Sequence, residues 1–157
     1  MPFVEVFTPA GSVTKEQRGR ISERLVAEVM KGEGAPDTDA ARSLSWLVWH
    51  EPEVWSIGGR LVGDGESPRY VVRVTVPADS LDDTKRAEIV RRVTDVLADA
   101  DDKPERMFGL PLASFVLLNE VSEGNWGSIG RIFRFPEVEA FIAAGAPAKR
   151  VATSSAG

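Results

Sequence analysis

There is no cysteine anywhere in the 157 residues. Disulfides, thiolate metal sites and cysteine nucleophiles are excluded together, and a cytoplasmic compartment is the expectation that fits. There is a single histidine, His50, so a multi-histidine metal centre within one chain is excluded as well. No apolar run approaches the ~20 residues of a membrane span. No basic segment followed by an apolar core opens the chain, so no secretory signal is expected. Positive charge is in deficit: 19 Lys and Arg stand against 24 Asp and Glu, for a net charge of -5. Phosphate binding needs a concentrated basic surface. The one basic cluster, Arg86 with Arg91 and Arg92, is broken by acids and reads as a solvated helix face. Neither nucleic acid nor membrane is therefore expected as a partner; a small molecule is. What remains is ordinary for one globular domain, with 43% hydrophobic and 27% charged residues.

Read along the chain, Phe3 to Phe7 (FVEVF) is β-branched and aromatic and predicts a strand, ended by Pro9 and Gly11. Thr14 and Gln17 have capping-box spacing. The apolar stripe Ile21, Leu25, Val26, Val29, Met30 then predicts a helix stopped by Gly32, Gly34 and Pro36. Leu44 to Trp49 predicts a second strand, with Trp46 and Trp49 on opposite faces. This is a βαβ unit, whose strands should run parallel.

The pattern then repeats. Tyr70 to Val76 predicts a strand, Ser80 and Asp83 mark a helix start, and Ile89, Val90, Val93, Val96 and Leu97 form an apolar stripe. Phe115 to Val121 predicts the fourth strand. Each half closes on a hairpin signature, Trp55-Ser56-Ile57-Gly58-Gly59-Arg60 and Trp126-Gly127-Ser128-Ile129-Gly130-Arg131. Lys15 and Lys85 are 70 apart, Glu51 and Glu120 are 69 apart, and Trp55 and Trp126 are 71 apart, the mark of an internal repeat. The expected architecture is α/β, a two-layer sandwich made of a tandem βαβ repeat, with a four-stranded sheet and two helices on one face. It forms one domain over 1–144, with pseudo-repeats 2–62 and 69–135, a short helix from Pro136 to Ala144 and a flexible tail over 145–157. Val71, Arg73 and Thr75 alternate onto the other sheet face. Their mixed polarity suggests an oligomer interface or a site there.

Pro2, a strand, a capped helix, a second strand and a Trp-x-Ile-Gly-Gly hairpin together resemble the 4-oxalocrotonate tautomerase family. The doubled length is similar to its fused members, which include malonate semialdehyde decarboxylase and cis-3-chloroacrylic acid dehalogenase. The resemblance covers residues 2 to 135. It implies a tautomerase fold, a homotrimer, cofactor-free chemistry, and a catalytic proline that is N-terminal once Met1 is removed.

The chemistry is coherent. An α-amine titrates near about 7.7–8.0, and burial or a nearby cation lowers that further. A neutral amine can carry a proton between an enol oxygen and a carbon. It can also form an imine. With its proton held more tightly it acts as an acid, as the hydrating members imply. Cations should hold a carboxylate and a developing enolate, yet the family arginines are missing: Pro9-Ala10-Gly11-Ser12-Val13 and Pro77-Ala78-Asp79-Ser80 stand in their places. The candidates for substrate binding are therefore Arg73 on the third strand, Arg131 at the end of the second hairpin and Trp126 as an apolar wall. The resemblance to the decarboxylase adds His50 and Asp39. Arg60 reads as a structural or trimer contact, Trp55 as an interface residue, and Asn119 and Glu120 as hydrogen-bonding the hairpin backbone.

Overall fold

A computed structural model describes residues 1–145. All but the first residue of the expected tail lies outside the described residues. The strand β1 (Phe3–Phe7) leads to the helix α1 (Lys15–Glu33), a short helix α2 (Asp39–Ser43), and β2 (Trp46–His50). A hairpin of β3 (Ser56–Ile57) and β4 (Arg60–Leu61) closes the first half. The second half has β5 (Tyr70–Pro77), α3 (Asp83–Asp99), a 3-10 turn at Pro104–Phe108, β6 (Ser114–Val121), the hairpin β7 (Gly127–Ser128) and β8 (Arg131–Ile132), and α4 (Phe135–Ala143).

The sheet order is β2-β1-β5-β6. β1 pairs with β2 in parallel, β5 pairs with β6 in parallel, and β1 meets β5 antiparallel. Each βαβ unit is thus parallel within itself, as expected, and the two units join back to back. Val4, Val6, Val72, Val74 and Val76 send fully buried side chains to one face. There they meet Ile21, Leu25 and Val29 of α1 and Ile89, Val93, Val96 and Leu97 of α3. Period-2 alternation in the strands and period-3.6 stripes in the helices bury one face of each element against the other.

Helix ends differ from the reading by a residue or two, for identifiable reasons. α1 has the expected capping box: the Gln17 amide donates to Thr14 Oγ1 at 3.1 Å and the Thr14 amide donates to Gln17 Oε1 at 2.8 Å. It ends at Gly34, which adopts φ +84, a conformation that favours glycine. Gly32 lies inside the last turn rather than ending it. There α1 comes close against α3, because a Cβ at this position would stand 2.7 Å from Ile89 Cγ1. α3 is capped by Asp82 instead of Ser80, its carboxylate accepting from the Lys85 amide at 2.7 Å. α2, for which the sequence analysis names no element, is a single capped turn: Thr38 Oγ1 accepts from the Ala41 amide at 3.2 Å.

Gly32→Ala gains helix propensity of up to about 1 kcal/mol. It also forces a methyl into the fully buried Ile89, and overpacking costs about 1–3 kcal/mol. The expected result is a net loss of stability, read as a lower urea midpoint at unchanged slope.

Among the described residues nothing covers the opposite sheet face. Trp46 is 67% exposed, Phe115 57% and Leu117 43%. Trp49 takes the other face of β2, packs on the core and donates its indole N–H to Ser22 Oγ at 2.8 Å. The two tryptophans therefore divide as their alternation predicts.

Candidate active site

Pro2 is buried at the start of β1. Its carbonyl accepts from the Trp46 amide at 3.2 Å, so the parallel ladder to β2 fixes its position before the strand proper begins. In the described chain Met1 precedes it and is itself buried. The Met1 amine lies 3.0 Å from both carboxylate oxygens of Glu33, and both side chains are almost wholly buried.

Two cavities open on either side of Met1. One, of about 450 Å³, is lined by Phe3, Trp46, Thr75, Asn125, Trp126 and Phe133 among others. The second, of about 620 Å³, is walled by Glu33, Pro36, Asp79, Lys85, Phe135 and Val138 among others. Met1 is the one residue common to both linings. Trp126 comes from the second hairpin, with Phe135 edge-on to it at 6.5 Å between ring centroids. The β5–α3 turn brings no arginine to the cavity, as the sequence implied. It brings Asp79, held at φ +65, and Ser80. The cation in the wall is Lys85 of α3, whose Nζ donates to the Ser80 carbonyl at 3.3 Å.

The residues singled out from sequence are not all gathered here. Pro2 and Trp126 are close to this junction. His50 pairs with Phe7 at the far end of β1, roughly 16 Å along the strand from Pro2 at about 3.3 Å per residue. There it is stacked on Phe7 at 4.3 Å, with Nε2 3.1 Å from Glu5 Oε1. Arg73 is held in the same group: it donates to Glu5 Oε2 at 3.2 Å and lies over the Phe7 ring at 5.4 Å. The Glu5 carboxylate thus binds both, on the uncovered sheet face.

Arg131 is tied to its own hairpin. Its NH1 donates to Glu137 at 3.0 and 3.1 Å and to the Ile132 carbonyl at 3.2 Å, and that hydrogen bond lowers the Glu137 carboxyl below its ordinary range. Its repeat partner Arg60 does the same with Glu66 and the Leu61 carbonyl. A clamp that recurs in both halves is a device of the hairpin. Asp39 opens α2, where a carboxylate favours the helix dipole, and lines neither cavity. Glu120 is engaged by Arg86 at 2.6 Å.

Glu33 and Lys85 are the residues the sequence reading missed. Lys85 served only as a landmark of the repeat. Glu33 carried a signal: an acid in the last turn of a helix opposes the macrodipole, and such a placement asks for a partner.

The pseudo-symmetric position holds a different chemistry. A cavity of about 570 Å³ there is lined by Trp55 and Tyr70 among others. Tyr70 opens β5 as Pro2 precedes β1, and burial pushes its phenol up to about 12. It is a neutral hydroxyl at any physiological pH, in a cavity whose wall also holds Lys103, Asp101 and Asp102.

Two parallel βαβ units joined antiparallel, with the chain's first residues at the mouth of a cavity, define the architecture of the tautomerases. Residues 71–135 match the family model described as "Tautomerase enzyme", and the fold is shared with solved structures of that kind. A member of the cis-3-chloroacrylic acid dehalogenase family superposes with a TM-score of 0.69 at 18% identity, covering 92% of each chain. A fused 4-OT solved as an asymmetric trimer gives 0.65 at 18% identity, over 83% of this chain and 94% of that one. A third structure, of a protein inactivated by 2-oxo-3-pentynoate, gives 0.65 at 18% identity with the same coverage. At these identities the likeness is one of fold. No curated protein matches the chain. Among the described residues no helix is long and apolar enough to cross a membrane.

Proposed function

We propose that the mature chain, with Met1 removed, is a cofactor-independent isomerase acting on an enol or an unsaturated oxo acid, with Pro2 as its general base. The observation that carries this reading is the position of Met1. It lines both cavities, and its removal would enlarge the space in front of a free secondary amine at Pro2, with Trp126 in the wall of one of them. The neutral amine accepts the enol O–H proton, and the oxygen electron pair closes the carbonyl. The carbon–carbon π pair then takes a proton at carbon from the ammonium, leaving the amine neutral again. Trp126 supplies an apolar wall. Lys85 takes the anchoring role that Arg73 and Arg131 were expected to fill, since those two are held by Glu5 and Glu137. We further propose that the chain assembles as a homotrimer, in keeping with the relative solved as a trimer and with the uncovered sheet face.

A second reading, a Pro2-dependent hydratase or decarboxylase, is favoured by Glu33, a buried acid that could hold the amine protonated or orient a water. The pH profile separates the two. Base catalysis rises with pH through the titration of the amine, and acid catalysis falls.

The test is covalent labelling with 2-oxo-3-pentynoate. A neutral Pro2 amine adds to the activated alkyne: an N–C bond forms, one π bond is lost, and the amine proton ends on the neighbouring carbon. The protein should gain the whole reagent mass, mapped to the peptide beginning at Pro2. A mature chain that still begins with Met1 removes the catalytic readings and leaves a binding protein of the same fold; a chain that begins at Pro2 but takes no label there at any pH removes the base reading.

A further inference from the structure

The buried ion pair at the start of the chain has a consequence once Met1 leaves. Both oxygens of Glu33 are 3.0 Å from the Met1 amine, and among the described residues that amine is the carboxylate's only hydrogen-bond partner. The helix end repels it as well. Loss of Met1 would strand a buried charge, which costs far more than a surface one. It would also create a new amine nearby. The Pro2 nitrogen is three bonds from the Met1 nitrogen, about 3–4 Å away by standard backbone dimensions.

Resting on the proposed role of Pro2, we propose that Glu33 is the counter-charge of the mature Pro2 ammonium, a positioning residue that holds the proton Pro2 carries during transfer. The same pocket that binds the initiating amine in the described chain would then pass to the amine that does the chemistry. The other charged groups facing this volume are Lys85 of α3, Asp79 of the β5–α3 turn and Glu139 of α4, and Lys31 lies in the last turn of α1. Lys85 opposes the ammonium, whereas Asp79 and Glu139 support it from the outer wall. Glu33 is the one that touches the N-terminal amine.

Two effects act on the mature amine. Burial disfavours its charged form, and an opposite charge within ~4–6 Å favours it by about 1–3 pKa units. Removing the carboxylate leaves burial, so the difference between variants is the informative quantity.

The experiment compares the wild-type chain with Glu33→Gln and Glu33→Asp, each shown by intact mass to begin at Pro2. The N-terminal amine is titrated by NMR of [15N]proline-labelled protein, and the rate of 2-oxo-3-pentynoate labelling is followed against pH. In Glu33→Gln the amine should titrate about one unit or more below wild type, with the midpoint of the labelling profile moving down alongside it. Glu33→Asp, whose shorter acid stands further off, should fall between the two. If Glu33→Gln does not fold, the shift in Glu33→Asp decides. Equal titration in wild type and variants, with labelling intact, overturns the role of Glu33 alone. Absence of label at Pro2 in all three chains overturns the reading of Pro2 on which it rests.

Discussion

A chain that keeps Met1 should lose about 10²–10⁴-fold in kcat/KM against the same chain beginning at Pro2, the span a positioned general base contributes. The reason is electronic first. With Met1 attached, the Pro2 nitrogen is an amide whose lone pair is delocalised into the carbonyl, so it neither takes nor returns a proton at neutral pH. The second reason is steric. Met1 is buried and lines both cavities, of about 450 and 620 Å³, so it fills space in front of the Pro2 nitrogen. The measurement is made on one preparation that begins with Met1, assayed on an enol substrate before and after cleavage by a methionine aminopeptidase that leaves Pro2 first. The two forms should have the same circular dichroism, because β1 is held by its ladders to β2 and β5 rather than by Met1. Equal rates before and after cleavage would show that the amine does no chemistry. The stability of the two forms should differ in the other direction. The Met1 form keeps the buried pair with Glu33, and breaking such a pair costs about 3–5 kcal/mol when the remaining charge finds no new partner. A cleaved chain that melts at nearly the same temperature would mean that Glu33 has found one.

Much of the fold was legible because it is written in periodicity. Val4 and Val6, or Val72, Val74 and Val76, alternate with residues that face away, and no other register buries them. The Thr14–Gln17 box set the start of α1 to the residue. The repeat carried the second half, because matching landmarks at a nearly constant spacing require the same unit twice. What escaped was local or tertiary. Gly32 looks like a helix stop, and only the closeness of Ile89 on another helix explains a glycine inside the turn. α2 is a single turn held by one threonine cap, too short to carry a stripe. What was legible was placement: Pro2 and Trp126 sit at the start of a strand and in a hairpin whose positions the pattern fixes, and both lie by the cavities at Met1. Arg73, Arg131 and His50 were chosen because they are cations or donors near strand ends. Their partners, Glu5 and Glu137, decide what they do, and a sequence does not show which acid is nearest. Glu33 was missed for the same reason in reverse: its partner is the chain terminus itself.

Leu117→Asp should convert the proposed homotrimer to a species near 17.1 kDa, the mass of one chain, in light scattering after size exclusion. Leu117 lies near the middle of β6 on the uncovered face, paired in register with Arg73. Phe115 is two residues before it, and Trp46 and Val48 are exposed on the β2 edge of the same face. Apolar side chains on both flanks of a central Glu5–Arg73–His50 group are unusual for open solvent, since contiguous apolar patches on a monomer are small. Charged residues at an interface fix register and reject wrong partners, while the apolar flanks supply the area. A carboxylate at 117 would be desolvated on assembly without a partner of its own, and burying an unpaired charge is costly enough to prevent it. The core face of β6 is untouched by the change, so the monomer should keep its secondary structure. The same substitution at Val90, a solvent-facing position of α3 that is also exposed, is the control and should leave the mass of the assembly unchanged. A Leu117→Asp chain that elutes with wild type would place the contacts between copies elsewhere, with the hairpins that carry Ile57 and Ile129 as the next surface to change. If assembly is lost but labelling at Pro2 persists, each chain holds a complete site. If both are lost together, a neighbouring copy supplies part of it.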